Sequence, residues 1–308
     1  MAWANGCGVS RTLCGRKGSY ICGIAGWAGH VPKAQRDNFH TFATSLIVAT
    51  QSRGEHATGF AARMPGKDVV VSKGPVPAEM FVRTPIWKTA LGARSLIGHC
   101  RWATHGDPKN NENNHPFTAG KWAVVHNGVI TMHQYIAGRE GVELKTECDS
   151  EVILRVFQKG AGKTQDPVAG LQKFVDAVNG FHADYAIALM DKQDGAIRLL
   201  RDEARPISIM RIPKLNVVAF ASTDVILKRA LDQMLGKMDD ADRANVVEGI
   251  DGWDCERHKI YVLRPTTMDV DHEPIRLKVV ENWFQPWQHT NTDEPDMNRI
   301  DTDDAIVE

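Results

Sequence analysis

The chain lacks any apolar run approaching the roughly 20 residues that cross a bilayer, and residues 1–21 lack the continuous apolar core of a secretory signal. A cytoplasmic protein with no membrane contact is expected. Cys-x-x-Cys spacing is also missing: the six cysteines stand at positions 7, 14, 22, 100, 148 and 255. That argues against a zinc ribbon, and a chain of 308 residues does not need disulfides to hold its core. Nor is there an excess of charge of one sign, with 37 basic against 38 acidic residues and a formal net charge of −1. No global field then favours nucleic acid or an anionic membrane as partner. His99, His105, His115 and His126 follow no metal-ligand spacing, so strand or loop hydrogen bonding is their expected use. Neither a metal nor a cofactor is expected.

What the sequence does have is apolar content, 43% of residues, sufficient for a sizeable core in one or two domains. Two of its apolar runs end in chemistry. Ser95, Leu96 and Ile97 lead into Gly98-His99-Cys100-Arg101-Trp102-Ala103-Thr104-His105-Gly106, and Trp122 to Val125 lead into His126-Asn127-Gly128. Neighbouring strands ending this way would set a polar rim over a buried sheet, where a small charged ligand can be held. Arg101 brings a planar fork suited to a carboxylate. Asn127 and Gly128 bring a side-chain amide and an unobstructed backbone N–H, the two donors an oxyanion needs.

Around this pair the chain alternates strands and helices. Residues 1–21 are rich in glycine, carry Arg11, Arg16 and Lys17 without an acid, and read as a loose leader. Ile21 to Gly29 reads as a short apolar strand broken by small residues. Phe39, Phe42, Leu46 and Ile47 recur at helical spacing between Ala34 and Gln51, and Ser52 to Gly59 reads as a turn into the next strand. Strands are expected at 69–72, 95–99 and 123–126, with a polar loop over 104–116. Ser150 opens a helix bearing Val152, Ile153, Val156 and Phe157, with Asp149 at or beside its N-cap, and a second helix carries Val168 to Val178. Runs at 185–190, 197–200, 207–210, 217–221 and 260–263 suggest a hairpin-rich second sheet, and the whole a layered α/β sandwich. From Glu281 the chain turns acidic. Residues 281–308 read as a solvated tail, or as a docking segment anchored by Trp283, Phe284 and Trp287.

Cys22-Gly23-Ile24, Arg53-Gly54, the 98–106 motif, Asn114-His115-Pro116, His126-Asn127-Gly128, Cys148-Asp149-Ser150-Glu151-Val152 and the Ala221-Ser222-Thr223-Asp224 turn come in the order of a known family. The chain from Cys22 to about residue 280 resembles class II glutamine amidotransferase domains, which are N-terminal-nucleophile hydrolases, and is most similar to the glutaminase half of glucosamine-6-phosphate synthases. The resemblance implies a four-layer αββα fold and hydrolysis of the side-chain amide of L-glutamine, with ammonia passed to a synthase site. Cys22 resembles the nucleophile, forming a thioester, with its own α-amino group as base. Arg101 resembles the residue that pairs with the glutamine α-carboxylate, Asp149 the one that takes its α-ammonium, and Asn127 with Gly128 the oxyanion hole. Trp102, Thr104 and His105 resemble pocket residues, and Arg53 an arginine near the nucleophile. Cys100 and Cys148 stand where the family more often has Thr or Ser, which favours burial without chemistry.

Two departures leave alternatives open. The base must be a free amine on Cys22, yet residues 1–21 precede it, so the leader resembles a cleaved propeptide; if retained, it leaves an amide nitrogen that cannot act as a base. The chain would then be a non-catalytic, amino-acid-binding or regulatory relative. A second alternative is an N-terminal-nucleophile hydrolase acting on another amide. No stretch after residue 180 reads as an ammonia-using domain, so a separate synthase subunit is expected to receive the ammonia.

Overall fold

Of the chain, the computed structural model describes residues 22–276, and both the leader and the 281–308 tail with its aromatic anchors lie outside them. In order along the chain, the strands and helices are β1 (Gly23–Gly29), α1 (Arg36–Thr50), β2 (Ala57–Arg63), β3 (Val69–Gly74), α2 (Ala78–Phe81), α3 (Pro85–Ala90), β4 (Ser95–Arg101), β5 (Phe117–Ala119), β6 (Trp122–Ile130), α4 (His133–Glu140), α5 (Glu151–Ala161) and α6 (Pro167–Val178). They continue as β7 (Ala183–Asp191), β8 (Ile197–Arg201), β9 (Ser208–Ile212), β10 (Val217–Ala221), α7 (Asp224–Leu235), α8 (Asp240–Val247), β11 (Asp251–Asp254), β12 (Lys259–Leu263) and β13 (Val270–Pro274). One sheet runs β11-β9-β10-β1-β4-β2-β3 and the other β13-β12-β8-β7-β6-β5.

Each central strand divides its side chains between two cores, because successive residues point to opposite faces. From β1, Trp27 and Ala25 pack outward against Phe39, Phe42 and Leu46 of α1. Ile24 and Ala28 point inward, where they meet Ala123 and Val125 of β6 and Ala186 and Ala188 of β7. Trp122 and Val124 of β6 face outward onto Val152, Val156 and Phe157 of α5. The result is helix, sheet, sheet, helix: a four-layer αββα sandwich. Small inward residues let the sheets approach, and with both faces covered the strands read as near-continuous apolar runs rather than clean alternations. Each large side chain fully buried this way contributes about 2 kcal/mol.

The second sheet differs from expectation. Only β7, β8 and β12 of the five runs between 185 and 263 belong to it; β9 and β10 join the first sheet, where β10 pairs with β1 through Ala25↔Ala221. Apolar patterning reports that a strand is buried, not which strand it lies beside, so the chain's crossing between sheets after Arg201 left no mark. The helices α2, α3, α4, α7 and α8 were not anticipated. Among the described residues no helix is long and apolar enough to cross a membrane.

Candidate active site

The β1–β4 register pairs Gly23 with Cys100, which sets Cys22 across from Arg101 at the end of both strands. Cys22 continues the inward parity of Ile24, and its sulfur lies 3.3 Å from both the backbone oxygen and the backbone nitrogen of Trp102. Burial pushes this thiol up to about 11, against the opposing pull of the Trp102 N–H. The charge of Asp149 raises it further, and those of Arg101 and Arg53 lower it. Arg53 is tied in directly, Nε donating to the Cys22 carbonyl at 3.0 Å.

Arg101 is 2% exposed and holds its own loop. Its guanidinium donates to the Asn114 side-chain oxygen at 2.8 Å, to the Gly106 carbonyl at 3.1 Å and to the His105 carbonyl. The polar loop that sequence left without a support is thereby closed around an arginine. It is further sewn to the 145–149 segment by Asn113, whose side chain bonds Glu147 Oε2 at 3.0 Å and the Glu147 N–H at 3.1 Å. His56 supports the loop's start, stacking on Trp102 at 4.3 Å and accepting the Ala103 N–H at 3.0 Å. A side chain on Gly54 would bring its Cβ to 2.5 Å from the Trp102 nitrogen, which is why a glycine follows Arg53. Thr104 stands exposed on this loop.

From the second sheet come Asn127 and Gly128. Asn127 shares the inward face with Ala123 and Val125; it is fully buried, and among the described residues neither its amide nitrogen nor its oxygen has a hydrogen-bond partner. Gly128 has φ +155°, and a Cβ there would sit 1.9 Å from the Asp184 carbonyl oxygen. Asp149, one residue before the α5 N-cap, accepts the Ile130 N–H on Oδ2 at 2.7 Å, while His105 Nδ1 lies 4.0 Å from Oδ1. The structure thus links Cys22 with Arg53 and Trp102, and His105 with Asp149, while Asn127 and Gly128 lie in β6 and Thr104 is exposed on the loop.

A family model described as glutamine amidotransferase domain matches residues 99–229. Over these residues the chain is similar to glutamine amidotransferase domains. Curated proteins similar to it include glutamine--fructose-6-phosphate aminotransferases (isomerizing): that of Listeria innocua is 26% identical over 93% of this chain and 49% of its own length. That of Halalkalibacterium halodurans is 28% identical over 71% and 35%, and that of Aquifex aeolicus 35% identical over 45% and 23%. The chain therefore spans half or less of the relatives it matches. Among solved structures, the glutamine phosphoribosylpyrophosphate amidotransferase of B. subtilis superposes with a TM-score of 0.58 at 18% identity, covering 83% of this chain and 50% of that one, which speaks to the fold.

Sequence reasoning on the amidotransferase domain missed the supporting residues. His56, Asn113 and Ser150 carry structure through side chain-to-backbone and side chain-to-side chain bonds that have no periodic signature. Cys100 and Cys148 are buried, their thiols pushed up to about 12 by desolvation. Among the described residues no group of His, Cys, Asp and Glu is arranged to hold a metal ion.

Proposed function

We propose that the domain hydrolyses the side-chain amide of L-glutamine. Cys22 attacks the amide carbon, the tetrahedral oxyanion collapses to a thioester as ammonia leaves, and water then releases glutamate. The observation that carries this reading is the Asn127 amide, buried without a partner on the inward face that Cys22 shares. A buried, unsatisfied amide costs stability, and an oxyanion is the acceptor its N–H groups lack. Gly128 supplies the second donor. Asp149 receives the α-ammonium, and Arg101 meets the α-carboxylate while holding the loop of Trp102, Thr104 and His105.

A thiol held near 11 by burial needs a base. The α-amine of Cys22, with a reference pKa of about 7.7–8.0, fits that task once residues 1–21 are removed as a propeptide. Ammonia passes to a separate synthase subunit, and the free cysteines suit a reducing, cytoplasmic setting. Intact mass of protein from its native cell tests the processing, and glutamate release from a chain beginning at Cys22 tests the activity. Such a chain failing to hydrolyse glutamine, with Cys22 unmodified, would refute the reading. Copurification of a synthase, or turnover that rises when one is added, tests the ammonia transfer.

A further inference from the structure

Ser150 occupies the N-cap of α5, yet its side chain makes no cap hydrogen bond to the helix. Serine at this position ordinarily accepts an N–H from the first turn. Here Oγ lies 2.8 Å from Nδ1 of His126, and the two residues are 2% and 1% exposed. The other ring nitrogen, Nε2, is 3.2 Å from the Asp184 carbonyl oxygen. A carbonyl can only accept, so Nε2 carries the proton and Nδ1 is the acceptor; the Ser150 hydroxyl donates to it at 2.8 Å in preference to Asp149 Oδ1, which lies farther off at 3.5 Å. His126 is also fixed through its backbone, its carbonyl accepting from His99 Nε2 at 2.9 Å.

The position of this bond matters. His126 immediately precedes Asn127 and Gly128, and Ser150 immediately follows Asp149. One hydrogen bond therefore joins the strand bearing the oxyanion donors to the helix start bearing the ammonium-binding carboxylate. Asp149 adds a parallel tie through the Ile130 N–H. The separation of those two poles must match the number of methylenes between the α-carbon and the scissile amide of the substrate.

We propose that the His126–Ser150 hydrogen bond is a ruler: a positioning pair that sets the spacing between the Asn127–Gly128 donors and Asp149, and so selects glutamine over asparagine. The inference rests on the glutaminase reading above. One methylene is worth about 10–200-fold in discrimination where a pocket is firmly held. Ser150→Ala removes the donor and frees the helix start to shift relative to β6.

The test compares kcat/KM for L-glutamine and L-asparagine in chains with Cys22 as the first residue. The glutamine-to-asparagine ratio is expected to fall at least tenfold in Ser150→Ala and to recover in Ser150→Thr, which keeps the hydroxyl. General loosening of the fold would lower both rates without changing the ratio. Ser150→Cys, a poorer donor of similar shape, should fall between, and carries the test if the alanine variant does not fold. Imidazole 15N shifts should report a protonated Nε2 and an accepting Nδ1 at His126 in the wild type. A ratio within twofold of wild type in Ser150→Ala, equal ratios in the Ala and Thr variants, or the opposite tautomer overturns the ruler while leaving glutaminase activity standing. A wild-type chain that turns over neither amide overturns the activity, and the ruler with it.

Discussion

The Cys22 sulfur is 3.3 Å from the Trp102 backbone nitrogen, so a thiolate formed there meets an N–H already in place. At rest the site favours the thiol, which burial pushes up to about 11. In the proposed mechanism the proton then leaves to a nearby base as attack occurs, and the α-amine of the same residue takes it. A chain with one methionine retained before Cys22 should lose about 10²–10⁴-fold in single-turnover thioester formation while keeping its urea midpoint. Thioester formation within tenfold of that of the free-amine chain would show that another group takes the proton.

Asn127 offers an unusual separation of stability from activity. Its buried amide is unsatisfied, so Asn127→Ala removes a desolvated polar group as well as some packing, and stability should stay within about 1 kcal/mol of wild type. Removing an oxyanion donor should cost about 10²–10³ in kcat. Equilibrium unfolding and steady-state glutamine hydrolysis read the two effects. A large stability loss with little change in kcat would mark Asn127 as structural.

At Gly128 both quantities should fall together. Any Cβ at φ +155° would sit 1.9 Å from the Asp184 carbonyl and 2.6 Å from His126 Nε2, contacts with backbone and with a buried ring that cannot yield cheaply. Gly128→Ala should cost about 3 kcal/mol or more, through strain and displacement of β6 from β7. Urea unfolding of a variant within about 1 kcal/mol of wild type would reject the packing described here.

These residues also mark how far sequence could be read. Arg101 was legible because it ends an apolar run, and it does end β4; Asn127 and Gly128 were expected just past a strand end but lie inside β6, paired with Ala186 and Tyr185, because β6 runs on to Ile130. The same apolar runs identified β1, β4, β6 and β7 and the helices α1, α5 and α6, whose buried stripes repeat at a fixed period. Period alone could not assign β9 and β10 to a sheet, since pairing depends on which distant strand the chain returns to. It could not find α7 either, which opens at Thr223 without a side-chain cap. Arg101 was legible as a carboxylate fork, whereas its bonds to Asn114, His105 and Gly106 depend on how the following loop folds back.

The buried histidines make stability depend on mild acid. His99 is held down to about 3, first by desolvation and then by the charge of Arg101; His115, stacked on it at 3.9 Å, lies well below the ordinary value, and His126 is lowered by burial too. In each the folded state prefers the neutral ring, so the unfolded chain binds the extra proton. Their contribution is whole above about pH 6.5 and is lost as pH falls toward each folded value, at about 1.4 kcal/mol per pH unit per histidine. His99 alone should cost about 2 kcal/mol by pH 5, before ordinary carboxylates titrate. Urea unfolding at pH 7, 6 and 5 should therefore show a steep decline. His115→Phe, which keeps a flat ring between His99 and Phe117 but cannot take a proton, should flatten that decline by roughly one proton's slope whatever its effect on the midpoint at pH 7. An unchanged slope in the variant would mean that His115 is not held neutral in the folded chain.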